Sequence, residues 1–140
     1  MKVLVVSHDA TRTGAPILLL NTLEEMKRRY PLDLQILLKN GGELLSRFQE
    51  LGETYLLDWG YSFLPQGGIA RLSPLLGFFG QKRPDLVYAN TMTCGEVLSW
   101  LAPLKIPVAV HVHELEFAID CTVSSPSLEP TLRAGLALIA

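Results

Sequence analysis

Cysteine is scarce in this chain, and basic charge is not in excess. The two cysteines, Cys94 and Cys121, lie far apart and form no C-x-x-C pair. They supply no metal set, and a lone pair is thin ground for a disulfide, so a reducing cytosol is the expected setting. The formal net charge is -2 and the isoelectric point lies near 5.9. A nucleic-acid surface usually announces itself as a basic excess, so no nucleic-acid partner is expected. Long apolar runs are missing too. The N-terminal run is only Val3 to Val6, too short for a signal-peptide core or a membrane span. Neither G-x-G-x-x-G nor the G-x-x-x-x-G-K loop of nucleoside triphosphatases occurs, which removes support for a dinucleotide fold or a triphosphatase. No internal repeat and no low-complexity segment is found.

What is present is the makings of one α/β domain. The chain has 140 residues, and 49% of them are apolar, enough for a real core. "KVLVV" at 2–6 reads as a buried strand, being short, β-branched and unbroken. The polar turn "SHDATRTGAP" follows it. Residues 15–30 then read as a helix, with Leu19, Leu23, Met26 and Tyr30 at spacings of three and four. Pro16 suits the first turn, where a missing N–H costs nothing. Further strands are expected at 32–38, 54–58, 85–89 and 107–113. A short helix precedes Gly52, which is expected to close it, and another covers Cys94 to Leu101. Residues 60–68 read as a loop and 69–80 as a helix, and the apolar end of the chain as a strand just begun.

This β-α-β alternation implies a Rossmann-like, doubly wound parallel sheet covered on both faces. Its first and fourth strands should be neighbours, at the point where strand order reverses and ligands bind. Polar residues gather at those strand ends: Ser7 to Gly14, Asn90 to Thr93, and His111 to Glu114.

Each candidate has two readings on residue type alone. Thr13, Gly14 and Ala15 open a helix, whose N–H groups and dipole suit a phosphate. The same residues also make an ordinary turn with a capping threonine. His111 and His113 alternate on one strand and share a face. With His8, Asp9 and Asp58 as the remaining donors, and "HELEF" lacking a second histidine, the ligand set for a metal is incomplete, and none is expected. Asn90 and Thr91 suit a sugar hydroxyl or a helix cap equally. Tyr61, Phe63, Phe78 and Phe79 suit stacking on a sugar or lipid, or core packing.

Four stretches carry a resemblance. "MKVLVVSHDATRTGAPILLLNTLEEM" looks like the opening of retaining glycosyltransferase family 4, of the GT-B fold. "GGELLSRFQELGETYLLD" is similar to that family's second helix and third strand. "RPDLVYANT" and "IPVAVHVHEL" resemble its fourth and fifth strand signatures. The match runs through nearly the whole chain in order, and it covers the N-terminal half of such an enzyme.

The resemblance implies a retaining, hexosyl-type glycosyltransferase that moves a sugar from a nucleotide-sugar donor to a glycan or lipid-linked acceptor. It implies no cofactor and no metal. Residues 1–140 would be the acceptor-side domain, with the donor-binding domain beyond them. His113 aligns with the family histidine near the transferred sugar, and Glu114 with the acidic residue after it, as the catalytic pair. Thr13, Gly14 and Ala15 would face the donor diphosphate. His8, Asn90 and Thr91 would line the acceptor side. One departure stands out: many members carry Gly-Gly in the first loop, where this chain has Thr13 before a single Gly14. No Glu-x7-Glu signature of the donor domain occurs, and the chain stops on "GLALIA". A truncated domain that transfers no sugar alone and self-associates is therefore expected. A cytoplasmic setting is expected, with room for peripheral contact at the membrane face. The alternatives are a stand-alone α/β ligand-binding or signalling module, and part of a sugar-nucleotide epimerase of the same architecture. A receiver-like module fits poorly, since only Asp9 lies after the first strand and Lys105 precedes the fifth.

Overall fold

The strands form where the sequence is short, apolar and β-branched, and all of them run parallel. A computed structural model describes residues 1–57 and 83–112 and the backbone of 137–139. In chain order the elements are β1 (Lys2–Ser7), α1 (Gly14–Arg29), β2 (Asp33–Leu38), α2 (Leu45–Leu51), β3 (Glu53–Leu56), β4 (Leu86–Asn90), α3 (Gly95–Leu101), β5 (Val108–His111) and β6 (Ala137–Ile139). The six strands lie in the order β3-β2-β1-β4-β5-β6. This is the Rossmann-like doubly wound arrangement. β1 pairs with β2 on one side and β4 on the other, so the chain reverses its direction of travel at β1 and β4. The expected adjacency of the first and fourth strands is observed.

Alternate residues of β1 feed two cores. Val3 and Val5 pack with Leu19, Leu20 and Leu23 of α1 and with Phe48 of α2. Leu4 and Val6 pack on the opposite face with Val97, Leu98 and Leu101 of α3. A parallel strand buried on both faces needs an unbroken apolar run, which "VLVV" supplies.

Two helix ends depart from the periodicity. α1 stops at Arg29, and Tyr30 is extended and 58% exposed rather than part of the apolar stripe. Pro31 is the cause: the residue before a proline is driven out of the helical region. Met26 is only half-buried. α2 closes at Gly52, as expected, but in an extended conformation and not a left-handed one. Gly52 is required for closeness: an added Cβ would sit 2.1 Å from the Leu34 carbonyl oxygen. The strand expected over 107–113 is shorter, at Val108–His111. The helix expected from Cys94 begins with a 3-10 turn over Met92–Cys94. Chain-end residues Ala137–Ile139 form β6 beside β5, where the apolar terminus suggested a strand. The expected loop at 60–68, the helix at 69–80 and the four aromatic residues flanking them lie outside the described residues, as does Cys121.

Candidate functional site

The carboxyl ends of β1 and β4 meet beneath the start of α1. Asn90 ends β4, is fully buried, and donates from Nδ2 to the Ala15 carbonyl oxygen at 3.4 Å. One hydrogen bond thus ties the fourth strand to the first turn of α1. Two of the sequence-derived groups, Thr13 to Ala15 and Asn90 with Thr91, are brought together as expected from a reversal point.

The turn after β1 is organised by Asp9. Its Oδ1 accepts from the Thr11 N–H at 3.1 Å and from Thr11 Oγ1 at 2.9 Å, an Asx turn. Thr11 Oγ1 in turn lies 3.0 Å from Thr13 Oγ1. Asp9 Oδ2 sits 3.3 Å from His8 Nε2. A polar chain therefore runs from the imidazole to the helix start. The turn is braced from below by the loop after β2. Ala10 accepts from the Leu44 N–H at 2.8 Å and donates to the Gly41 carbonyl at 3.3 Å. Gly42 lies so close that an added Cβ would be 2.3 Å from the Ala10 carbonyl group.

Thr13 is the N-cap of α1, yet its side chain makes no capping bond. Its hydroxyl is engaged with Thr11 instead. Pro16 has no N–H to offer. Among the described residues, nothing caps the N–H groups of Gly14 and Ala15 at the positive end of the helix dipole. An added Cβ on Gly14 would meet nothing within 4 Å, so neither packing nor backbone geometry demands glycine there. Arg12, exposed and one residue before the cap, was not singled out by sequence; its main-chain N–H donates to Glu43 Oε2 at 3.2 Å.

The turn after β4 is built differently. Thr91 is buried and has φ 80° and ψ 159°, a region that glycine alone normally occupies. A β-branched residue held there stores on the order of 1–3 kcal/mol of strain. Its Oγ1 accepts from the Thr93 N–H at 3.2 Å and lies 2.7 Å from Thr93 Oγ1. Here the threonine does cap. Lys39, just past β2, reaches across to Glu96 Oε2 at 2.9 Å and to the Thr93 carbonyl at 3.2 Å. Both charged side chains are 12% exposed. Sequence reading missed this pair, since no local spacing links a lysine in one loop to a glutamate in a distant helix. Asn40, the next residue, has its Oδ1 buried without a hydrogen-bond partner among the described residues. Such an atom is the kind that a ligand or water satisfies.

His111 ends β5, directly opposite Asn90 in the register, so both lie on the α1 face of the sheet. Its Nδ1 is hydrogen-bonded to the Tyr88 hydroxyl at 2.7 Å, and the two rings meet edge to face at a 6.1 Å centroid separation. Burial pushes the Tyr88 phenol pKa up. His113 and Glu114 lie outside the described residues. Among the described residues, no group of three His, Cys, Asp or Glu side chains is placed to hold a metal ion. Among them also, no helix is long and apolar enough to cross a membrane.

No family model matches the chain, and no curated protein matches it in sequence. Its fold is nevertheless shared with solved structures. Anabaena HepE in complex with UDP and glucose is similar over 100% of this chain and 38% of its own, at 20% identity and a TM-score of 0.69. Acinetobacter baumannii MurG is similar over 98% of this chain and 40% of its own, at 13% identity and a TM-score of 0.66. A UDP-N-acetylglucosamine 2-epimerase is similar over 100% of this chain and 41% of its own, at 19% identity and a TM-score of 0.66. The chain spans about two fifths of the length of each. The fold is that of the N-terminal half of GT-B proteins.

Proposed function

We propose that this chain is the acceptor-side domain of a GT-B glycosyltransferase, which moves a sugar from a nucleotide-sugar donor to a glycan or lipid-linked acceptor. The observation that carries the reading is the open first turn of α1. Two N–H groups and a helix dipole face the strand-reversal point, and the hydroxyl that would have capped them is diverted to Thr11. A leaving diphosphate is the group such a turn suits, because fixed donors there need no reorganisation as charge develops. The likeness to HepE, solved with UDP and glucose, supports the same ligand class.

In this reading Gly14 and Ala15 meet the diphosphate through their backbone, with Thr13 setting the turn. His8, Asn90 and Thr91 border the acceptor side. His113 and Glu114 stand near the transferred sugar, by their resemblance to the family 4 pair, and the reaction retains configuration without a metal. The chain matches about two fifths of the length of HepE and MurG, and in this reading the donor-binding half is a separate domain, without which the chain transfers no sugar. The enzyme works in the cytoplasm, with lipid-linked acceptors reached from the membrane face.

Gly14→Ala is the direct test. A methyl group there meets open space, and alanine is the better helix former by up to about 1 kcal/mol, so the fold is unharmed. UDP-sugar-dependent transfer by the full-length protein is expected to fall at least tenfold while the unfolding midpoint holds or rises. Unchanged transfer would remove the diphosphate from this turn. Isomerised nucleotide sugar formed without any acceptor would replace transfer by epimerisation.

A further inference from the structure

We infer that Lys39 is a positioning residue, whose ammonium holds Thr91 in its positive-φ conformation at the end of β4. Thr91 has φ 80° and ψ 159° and a β-branched side chain. A residue keeps such a conformation only where its surroundings over-determine it. Two sets of contacts do so here. The first fixes Thr91 itself: its N–H donates to the His111 carbonyl oxygen at 3.0 Å, and its Oγ1 accepts from the Thr93 N–H at 3.2 Å. The second fixes the turn that follows. Lys39 Nζ donates to the Thr93 carbonyl oxygen at 3.2 Å and to Glu96 Oε2 at 2.9 Å, from 54 and 57 residues away in sequence. The Thr91–Thr93 bond joins two residues of one turn, which can move together, so it does not by itself keep φ positive. Lys39 ties that turn to the end of β2. A charge-assisted bond is roughly twice as strong as a neutral one, and both charged side chains here are only 12% exposed. By contrast, Cys94 ties the same turn to β1 through a thiol, a weak donor, at 3.5 Å from the Val6 carbonyl oxygen.

The consequence is that the carboxyl end of β4 is set from β2. Asn90, the residue before Thr91, holds the first turn of α1 through the Ala15 carbonyl. Thr91 itself is bonded to the last residue of β5. Lys39 therefore links the ends of β2, β4 and β5 through one strained residue. In the proposed function Thr91 borders the acceptor, and Lys39 shapes the acceptor side through it. Only this use rests on that reading; the hold of Lys39 on Thr91 stands apart from it.

The test needs no ligand. A positive φ brings the Hα and amide hydrogen of one residue close together, which gives a strong intraresidue cross-peak in a ¹⁵N-edited NOE spectrum. In the wild-type protein the Thr91 cross-peak is expected to stand well above those of Val87 and Ala89 in β4, which are extended. In Lys39→Met/Glu96→Gln, which removes both charges and orphans neither, it is expected to fall to the level of those residues. An ordinary cross-peak at Thr91 in the wild-type protein overturns the inference. An undiminished one in the folded double variant overturns it as well. If the double variant does not fold, Thr91→Gly is added to it, since glycine takes a positive φ without strain. Recovery of the fold then supports the inference, and a chain that stays unfolded overturns it. UDP-sugar-dependent transfer by the full-length protein is measured separately: its absence removes the sugar-transfer reading and leaves the role of Lys39 intact.

Discussion

Two strand-to-helix turns flank the reversal point, and they treat the same residue type in opposite ways. After β4, Thr91 takes the Thr93 N–H on its hydroxyl and closes the helix start, at the cost of a strained backbone. After β1, Thr13 occupies the N-cap of α1 and caps nothing. Its hydroxyl is held by Thr11, and Thr11 by Asp9. The first solution satisfies the chain. The second leaves two N–H groups with no capping side chain among the described residues. Residue type alone cannot separate a capping threonine from a diverted one; the neighbours that compete for its hydroxyl decide.

The largest effect comes from breaking the support of the open turn. Gly42→Ala would drive a methyl group into the Ala10 carbonyl and the Thr11 N–H. Overpacking of this kind, against backbone that cannot rotate away, is expected to cost about 3 kcal/mol in urea unfolding. A loss below about 0.5 kcal/mol, the size of a neutral surface change, would mean that the two loops are not held together.

A matched pair of substitutions sharpens the contrast between the turns. Thr91→Val removes a buried hydroxyl and its bond to the Thr93 N–H, and should cost about 1–2 kcal/mol. Thr13→Val removes a hydroxyl that makes no capping bond and should change stability by less than about 0.5 kcal/mol. Equal costs in the two variants would erase the distinction.

The smallest effect concerns alkaline pH. Burial raises the Tyr88 pKa in the folded chain. The unfolded tyrosine loses its proton near pH 10 while the folded one keeps it, so the unfolded state binds fewer protons there. Stability from this group is complete below about pH 10 and falls as pH rises further. Tyr88→Phe should be less stable than wild type at neutral pH by about 1 kcal/mol, and the gap should narrow above pH 10. A constant gap up to pH 11 would show that the phenol is not shielded.

Much of the fold was legible because short apolar runs and long amphipathic ones have different periods. β1, β2, β4 and α1 fall within a residue or two of where the pattern puts them. The meeting of β1 with β4 followed from the order of elements alone. Tyr30 was misplaced because periodicity ran on past the point where Pro31 forbids helix. The site was legible as a set of strand ends, not as a mechanism. Asn90 and Thr13 to Ala15 do converge, whereas the bond from Tyr88 to His111 and the ion pair from Lys39 to Glu96 join residues with no local signal between them. Whether Thr91 lines a ligand or caps its own turn was open on residue type, and the capping bond is what the structure displays.

The parallel order also sets a timetable. β1 gains its second neighbour only when β4 has been made, and the main-chain N–H of Lys2 bonds Asp85, 83 residues further on. At the usual pace of synthesis, about 5–20 residues per second, that delay is roughly 4–17 s. Throughout it the run "VLVV" has at most one side paired, an apolar edge that other chains can extend. The strand that ends buried inside the finished sheet is, during synthesis, an edge that stays half-paired until β4 arrives.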